Sequence, residues 1–160
     1  MIKIKRENYP YRQAVVSVIV DGNNMFLVVQ KLSYRDNEWS FAGGGVEDNE
    51  SPSEAILREL REELGVKSFK IIAEAKTHYQ YEWPEKVIIE QFHKLGKYFR
   101  GQQLKYFLIK FSGNQSDIKP QEEEIRVIKW ITYDQLSSHL LFSGQLESAE
   151  KVIKEFNLSF

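Results

Sequence analysis

Apolar residues fall in short, nearly continuous runs through the first two thirds of this chain and at helical spacing near its end. Residues 13–20 (QAVVSVIV) are almost all small or β-branched, Asp21, Gly22, Asn23 and Asn24 are turn formers, and residues 25–30 (MFLVVQ) are apolar again. That order predicts a buried β-hairpin. Residues 32–38 are polar and predict a loop, and residues 39–41 (WSF) predict a short strand running into a cluster of glycines. Residues 69–75 (FKIIAEA) and 77–83 (THYQYEW) predict strands, the second ended by Pro84, with residues 87–90 as its extension. Residues 93–101 are basic and aromatic and predict a loop. The strongest strand signal is residues 103–111 (QLKYFLIKF), and residues 125–131 (IRVIKWI) predict another after a polar stretch. Thr132 or Asp134 caps a short helix through His139, and Leu146, Ala149, Val152, Ile153 and Phe156 recur at helical spacing. This order predicts an α+β or mixed α/β domain with a sheet between helices.

The clearest helix lies between these strands. Ser51 is a good N-cap, Pro52 suits the first helical position, and Glu54 stands three residues after the cap. Gly65 can take the left-handed conformation that ends a helix. Within these limits Ile56, Leu57, Leu60 and Leu64 form an apolar stripe, and Glu59, Glu62 and Glu63 share a neighbouring face at i, i+3 and i+4. Three carboxylates on one face repel unless a cation or a basic side chain sits among them, and their hard oxygens suit Mg²⁺ or Mn²⁺. Arg58 is four residues from both Glu54 and Glu62 and is expected to pair along the helix. Just upstream, Ala42-Gly43-Gly44-Gly45 has almost no side-chain bulk, so its backbone can approach a phosphate or offer the Gly43 carbonyl to a metal. The same Arg-Glu-Leu-Arg-Glu-Glu-Leu run is also what a solvated helix face laced with ion pairs looks like; the glycines and Glu50 are what such a face does not need.

Gly44, Glu50, Arg58, Glu59, Leu60, Glu62, Glu63, Gly65 and Val66 meet every fixed position of G-x5-E-x7-R-E-U-x-E-E-x-G-U, with U aliphatic. The stretch resembles a complete Nudix box. The resemblance implies the Nudix fold, a mixed sheet flanked by helices with the glycines and the box helix at one mouth. It also implies hydrolysis of a phosphoanhydride bond, with Gly43, Glu59, Glu62 and Glu63 around the metal and Glu50 and Arg58 bracing loop and helix. Beyond the box, Tyr11-Arg12, Tyr81-Glu82-Trp83-Pro84 and Gly101-Gln102-Gln103-Leu104-Lys105-Tyr106-Phe107 resemble the dinucleoside polyphosphate hydrolases and bacterial RNA pyrophosphohydrolases of that family. That branch carries a further metal-site Glu opening a late strand, which here falls on Glu124, with Glu122 and Glu123 beside it. Arg12 and Lys105 are the favoured phosphate contacts among Arg12, Lys31, Arg35, Arg100 and Lys105. Tyr81, with Tyr79 and Phe142, is a candidate to stack on a base, although a strand tyrosine more often packs. The branch has Pro where this chain has Ala42, which is expected to loosen the loop. The general base stays open among Glu59, Glu63 and Glu124.

At 160 residues the chain is expected to be one domain over its whole length. A formal charge of −1 gives no overall field for long nucleic acids, so any RNA contact is expected to be local. With no Cys there are no disulfides or thiolate metal sites. No apolar run reaches transmembrane length and the start has no signal-peptide core, so a cytoplasmic enzyme with no membrane and no obligate protein partner is expected. The substrate expected first is a dinucleoside polyphosphate or the 5′-triphosphate end of RNA. A pyrophosphatase for free or damaged nucleoside triphosphates is the alternative enzyme, and a nucleotide sensor without turnover is the alternative outside catalysis.

Overall fold

The computed structural model describes residues 5–158. The apolar run at the start forms β1 (Tyr11–Val20), and Asp21 closes the turn after it by accepting from the Asn23 and Met25 amides, both at 2.9 Å. β2 (Phe26–Lys31) follows, but it meets β1 only at the turn end, where Val20 faces Phe26. The expected hairpin therefore opens into a fork. Into it runs the segment from Ser40 to Val46. Ser40 exchanges both backbone bonds with Val29 on one side, while Ala42, Gly44 and Val46 bond to β1 on the other. The strand expected at residues 39–41 is thus a single bridge at Ser40, and the strand proper, β3 (Gly43–Gly45), is made of the glycines. The slack expected from Ala42 does not arise: its side chain is fully buried and its carbonyl accepts from both the Ser17 amide and the Ser17 hydroxyl.

Helix α1 (Pro52–Leu64) starts and stops where its sequence signals place it, with the Ser51 hydroxyl accepting from the Glu54 amide at 3.2 Å and Gly65 at φ 69°. Next come β4 (Phe69–Glu74) and β5 (Tyr79–Glu82). The extension expected over residues 87–90 is instead part of α2 (Glu85–Leu95), which also takes in the first residues of the expected basic loop. Val87, Ile88 and Ile89 read as strand by propensity, yet Ile88, Phe92 and Leu95 recur at helical spacing, and Gly96, at φ 72°, caps the end. β6 (Gly101–Phe111) runs parallel to β1 along its whole length, and β4 and β5 share its other edge. β7 (Ile125–Ile131) pairs with β2, and two further helices, α3 (Leu136–His139) and α4 (Gln145–Glu155), follow.

The result is one mixed sheet ordered β4-β6-β1-β2-β7 with helices on both faces. Val15, Ile19, Phe107 and Ile109 pack under Ala55, Ile56, Leu60 and Leu64 of α1. Val18, Tyr106 and Leu108 pack on the other face against Leu136, Leu140, Val152 and Ile153. No helix among the described residues is long and apolar enough to cross a membrane. The buried side of α1 differs from the expected stripe: Ala55 and Glu63 face inward, whereas Leu57 is 37% exposed. Leu60→Ala is accordingly expected to cost about 2–5 kcal/mol in urea denaturation, and Leu57→Ala less than about 1 kcal/mol.

Candidate active site

The three glycines of β3 lie where side chains cannot. In the ladder, Val15 and Gly44 face each other and exchange backbone bonds, so the polar groups of Gly43 and Gly45 turn away from β1 toward α1. A methyl on Gly43 would collide with the Val15 carbonyl, one on Gly44 with the Glu59 carboxylate, and one on Gly45 with the Arg12 guanidinium. Glu59 and Arg12 thus approach the glycine backbone from opposite faces.

Arg58 ties this strand to α1. Its Nε and Nη2 reach the two Glu50 oxygens at 2.7 and 2.9 Å, and Nη2 also donates to the Gly45 carbonyl at 2.9 Å. Nη1 reaches Glu59 at 3.0 Å and Glu62 at 3.2 Å, with Glu47 at 3.6 Å. The pairing expected with Glu62 is present, while Glu50 rather than Glu54 takes the two-pronged bond, because a carboxylate on the loop can meet the guanidinium fork squarely. This bond and the Glu47 amide hold Glu50 down at a pKa of about 2.

Glu63 is 2% exposed, and its Oε2 has no hydrogen-bond partner among the described residues. Burial, together with the charges of Glu59 and Glu124, pushes its pKa up to about 8, against the pull of Lys31 and the Gly43 backbone amide. Burial likewise raises Glu59, opposed by Arg58 and reinforced by Glu62 and Glu124. Glu124 thus acts on both, although it belongs to a different element. The end of α1 brings it there: the Leu64 carbonyl accepts from the Lys119 amide at 3.0 Å and the Glu63 carbonyl from the Gln121 amide at 2.8 Å. A turn from Gln121 then presents Glu124 at the start of β7, while Glu123 bonds outward to Gln121. Gly43, Glu59, Glu62, Glu63, Glu124 and Arg58 are therefore gathered around one end of α1.

On the other face of the sheet a cleft of about 640 Å³ begins at the glycines. Arg12, Lys31, Gly43 and Gly44 line it together with Tyr34, Tyr79, Tyr81, Tyr106 and Phe142, and Tyr81 feels the charges of both Arg12 and Lys31. The aromatics are braced against one another, Tyr34 edge-on to Phe142 with centroids 5.1 Å apart and Tyr79 edge-on to Tyr106 at 5.5 Å. Burial lowers the Arg12 pKa against the opposing charge of Glu59, and Arg12 forms no ion pair among the described residues. Lys105 does not join Arg12. It alternates with Leu104 and Tyr106 of the cleft, so it faces the α1 side, where its ammonium pairs with Glu74. Arg100 is likewise held elsewhere, by Glu82, and Arg35 is exposed. Lys31, the cation that ends the apolar β2 run, lines the cleft where Lys105 does not. A larger hollow of about 870 Å³, lined by Asn23, Tyr133 and Lys151 at the far end of the sheet, contains none of these residues.

A sequence profile of the NUDIX domain matches residues 10–156, which hold the glycine strand, the carboxylate-bearing helix and the cleft. The chain belongs to the Nudix hydrolase family. An RNA pyrophosphohydrolase of Rickettsia conorii is 36% identical over 155 residues, covering 95% of this chain and 93% of that protein. Among solved structures, C. elegans Ap4A hydrolase in a binary complex superposes with a TM-score of 0.62 at 19% identity, covering 90% of this chain and 95% of that one. E. coli dihydroneopterin triphosphate pyrophosphohydrolase does so with a TM-score of 0.65 at 17% identity, covering 91% and 99%. These two likenesses are of fold.

Nudix hydrolases use divalent metal ions. Among the described residues no three acidic or histidine side chains converge tightly enough to enclose one, since Arg58 draws Glu59 and Glu62 toward itself. The residues nevertheless fit such an ion on two counts. A buried carboxylate oxygen of Glu63 is without a partner, and the absent side chain of Gly44 leaves room for the Glu59 carboxylate against the backbone. The raised Glu63 pKa also sets a pH dependence. Between about pH 4.5 and 8 the folded, metal-free protein holds a proton that the unfolded chain has released, so stability is full below the unfolded value and is lost as pH rises through the folded one. Denaturation of metal-free protein is expected to show a decline on the order of 5 kcal/mol across that window, and Glu63→Gln to flatten it.

Proposed function

We propose that this chain, acting as one domain over residues 1–160, hydrolyses a phosphoanhydride bond in a dinucleoside polyphosphate or in the 5′-triphosphate end of RNA. The observation that carries the reading is the lining of the cleft, which brings Arg12, Lys31, the glycines and a set of aromatic rings into one space. Both substrates place several phosphates next to a base, which matches cations and rings in one cleft. The Rickettsia relative, named for pyrophosphohydrolysis of RNA, supports the RNA end.

Mg²⁺ or Mn²⁺, held by Glu59, Glu62, Glu63, Glu124 and the Gly43 carbonyl, would neutralise the phosphates and lower the pKa of the attacking water. Arg58 keeps Glu59 and Glu62 on the α1 side of β3, and Glu50 keeps Arg58 in place. Arg12 and Lys31 hold phosphates on the cleft side, where the loss of hydration at Arg12 strengthens its grip on an anion. Water attacks phosphorus, the bond to the leaving phosphate breaks, and one of Glu59, Glu63 or Glu124 accepts the proton. The aromatic rings of the cleft keep the base in register while this happens.

Turnover of a dinucleoside polyphosphate and of triphosphorylated RNA is expected to require Mg²⁺ or Mn²⁺ and to be nearly abolished in Glu63→Gln, with the fold intact by circular dichroism. Full activity in that variant, or in excess chelator, would refute the assignment. Glu124→Gln is expected to lose turnover, while Glu122→Gln and Glu123→Gln keep it. Arg12→Ala is expected to lower kcat/KM roughly ten- to a hundredfold, about 1.5–3 kcal/mol, on these long substrates, and Lys105→Ala to leave it within about twofold.

A further inference from the structure

Gly45 is not a fixed position of the box pattern, its backbone is not in the left-handed region, and nothing in its own conformation calls for glycine. What calls for it is Arg12. A Cβ built on Gly45 falls onto Nη2 and lies within 3.0 Å of the Cζ and Nε of that guanidinium. Gly45 pairs with Ala14, and Arg12 stands two residues before Ala14 on the same face of β1, so its side chain reaches the glycine surface of β3. On the opposite surface of the same strand, Glu59 lies against Gly44 in the same manner.

We propose that Gly45 is a positioning residue for substrate: its missing side chain seats the Arg12 guanidinium against β3, where it grips a phosphate of the substrate. The inference rests on the reading of the chain as a hydrolase of polyphosphate substrates. It follows from the geometry that the three adjacent glycines have separable duties. A methyl on Gly43 meets backbone, which cannot move without breaking the β1–β3 ladder. On Gly44 it meets a carboxylate of the metal site, and on Gly45 the three nearest atoms all belong to the tip of the flexible Arg12 side chain. Gly45→Ala is therefore tolerated by the fold, because an arginine tip can swing aside. What it removes is the seat. Arg58 loses nothing, since it bonds to the Gly45 carbonyl rather than to any side chain.

The test is a double-mutant cycle of Gly45→Ala and Arg12→Ala, with KM and kcat measured on a dinucleoside tetraphosphate and Mn²⁺ affinity measured separately by calorimetry. Gly45→Ala alone is expected to raise KM about tenfold and change kcat less than about threefold, with Mn²⁺ affinity unchanged within about twofold. In the Arg12→Ala background it is expected to have no further effect on KM. Gly44→Ala, by contrast, is expected to weaken Mn²⁺ binding at least tenfold. Equal KM effects of Gly45→Ala in the two backgrounds overturn the proposal, as does a loss of Mn²⁺ affinity in Gly45→Ala. An unmutated protein that binds Mn²⁺ yet cleaves no polyphosphate overturns instead the functional reading beneath it, and the cycle is then read from binding of a non-hydrolysable dinucleoside tetraphosphate, with the same tenfold loss expected only where Arg12 is present.

Discussion

The site depends on one guanidinium. Arg58 is mostly buried, and it joins four carboxylates and a carbonyl that belong to three separate pieces of chain: the glycine strand, the loop carrying Glu47 and Glu50, and the helix. A charge in such a place is tolerated only when its donors are matched, and here the two-pronged bond to Glu50 fixes the plane in which the remaining donors point. That plane faces Glu59 and Glu62. Carboxylates that would otherwise repel are thereby held on one side of β3, close to Glu63, whose own burial favours any cation that can reach it. Arg58 and a divalent ion draw on the same oxygens, so the brace and the metal site are one electrostatic system.

The second constraint is the fork between β1 and β2. Strands that diverge after one paired position leave open backbone, and β3 fills the gap with residues too small to separate what lies on either side of them. The carboxylates sit on the α1 face and the cleft on the other, with a single extended strand as the wall between them. A polyphosphate lying across the edge of that wall has access to both.

Much of this was legible in the sequence because it is local. The caps at Ser51 and Gly65, the spacing of Glu59, Glu62 and Glu63, and the strand runs all follow from neighbours within a few residues. What was not legible is what depends on pairing at a distance. The parallel match of β6 to β1 decides which of two alternating residues faces the cleft, and a strand pattern cannot say which; hence Lys105 lies on the α1 side with Glu74 while Lys31, at a strand end, lines the cleft. The glycines read as a loop because glycine disfavours strands, and only the presence of Glu59 and Arg12 on either side explains the choice. α2 was misread because its β-branched residues outweighed a helical spacing and a left-handed cap that were both present.

The two bonds from the end of α1 to the Lys119 and Gln121 amides have a consequence for how this segment can change over time. A helix must find donors for its last carbonyls in any case, and here those donors measure out chain: from Lys119 to Ile125 the backbone is pinned at both ends, by the helix and by β7. The segment works as a ruler. Its side chains at 122 and 123 are open to drift, but its length is not, because one residue gained or lost would carry the carboxylate at 124 out of range while leaving every strand and helix of the fold in place.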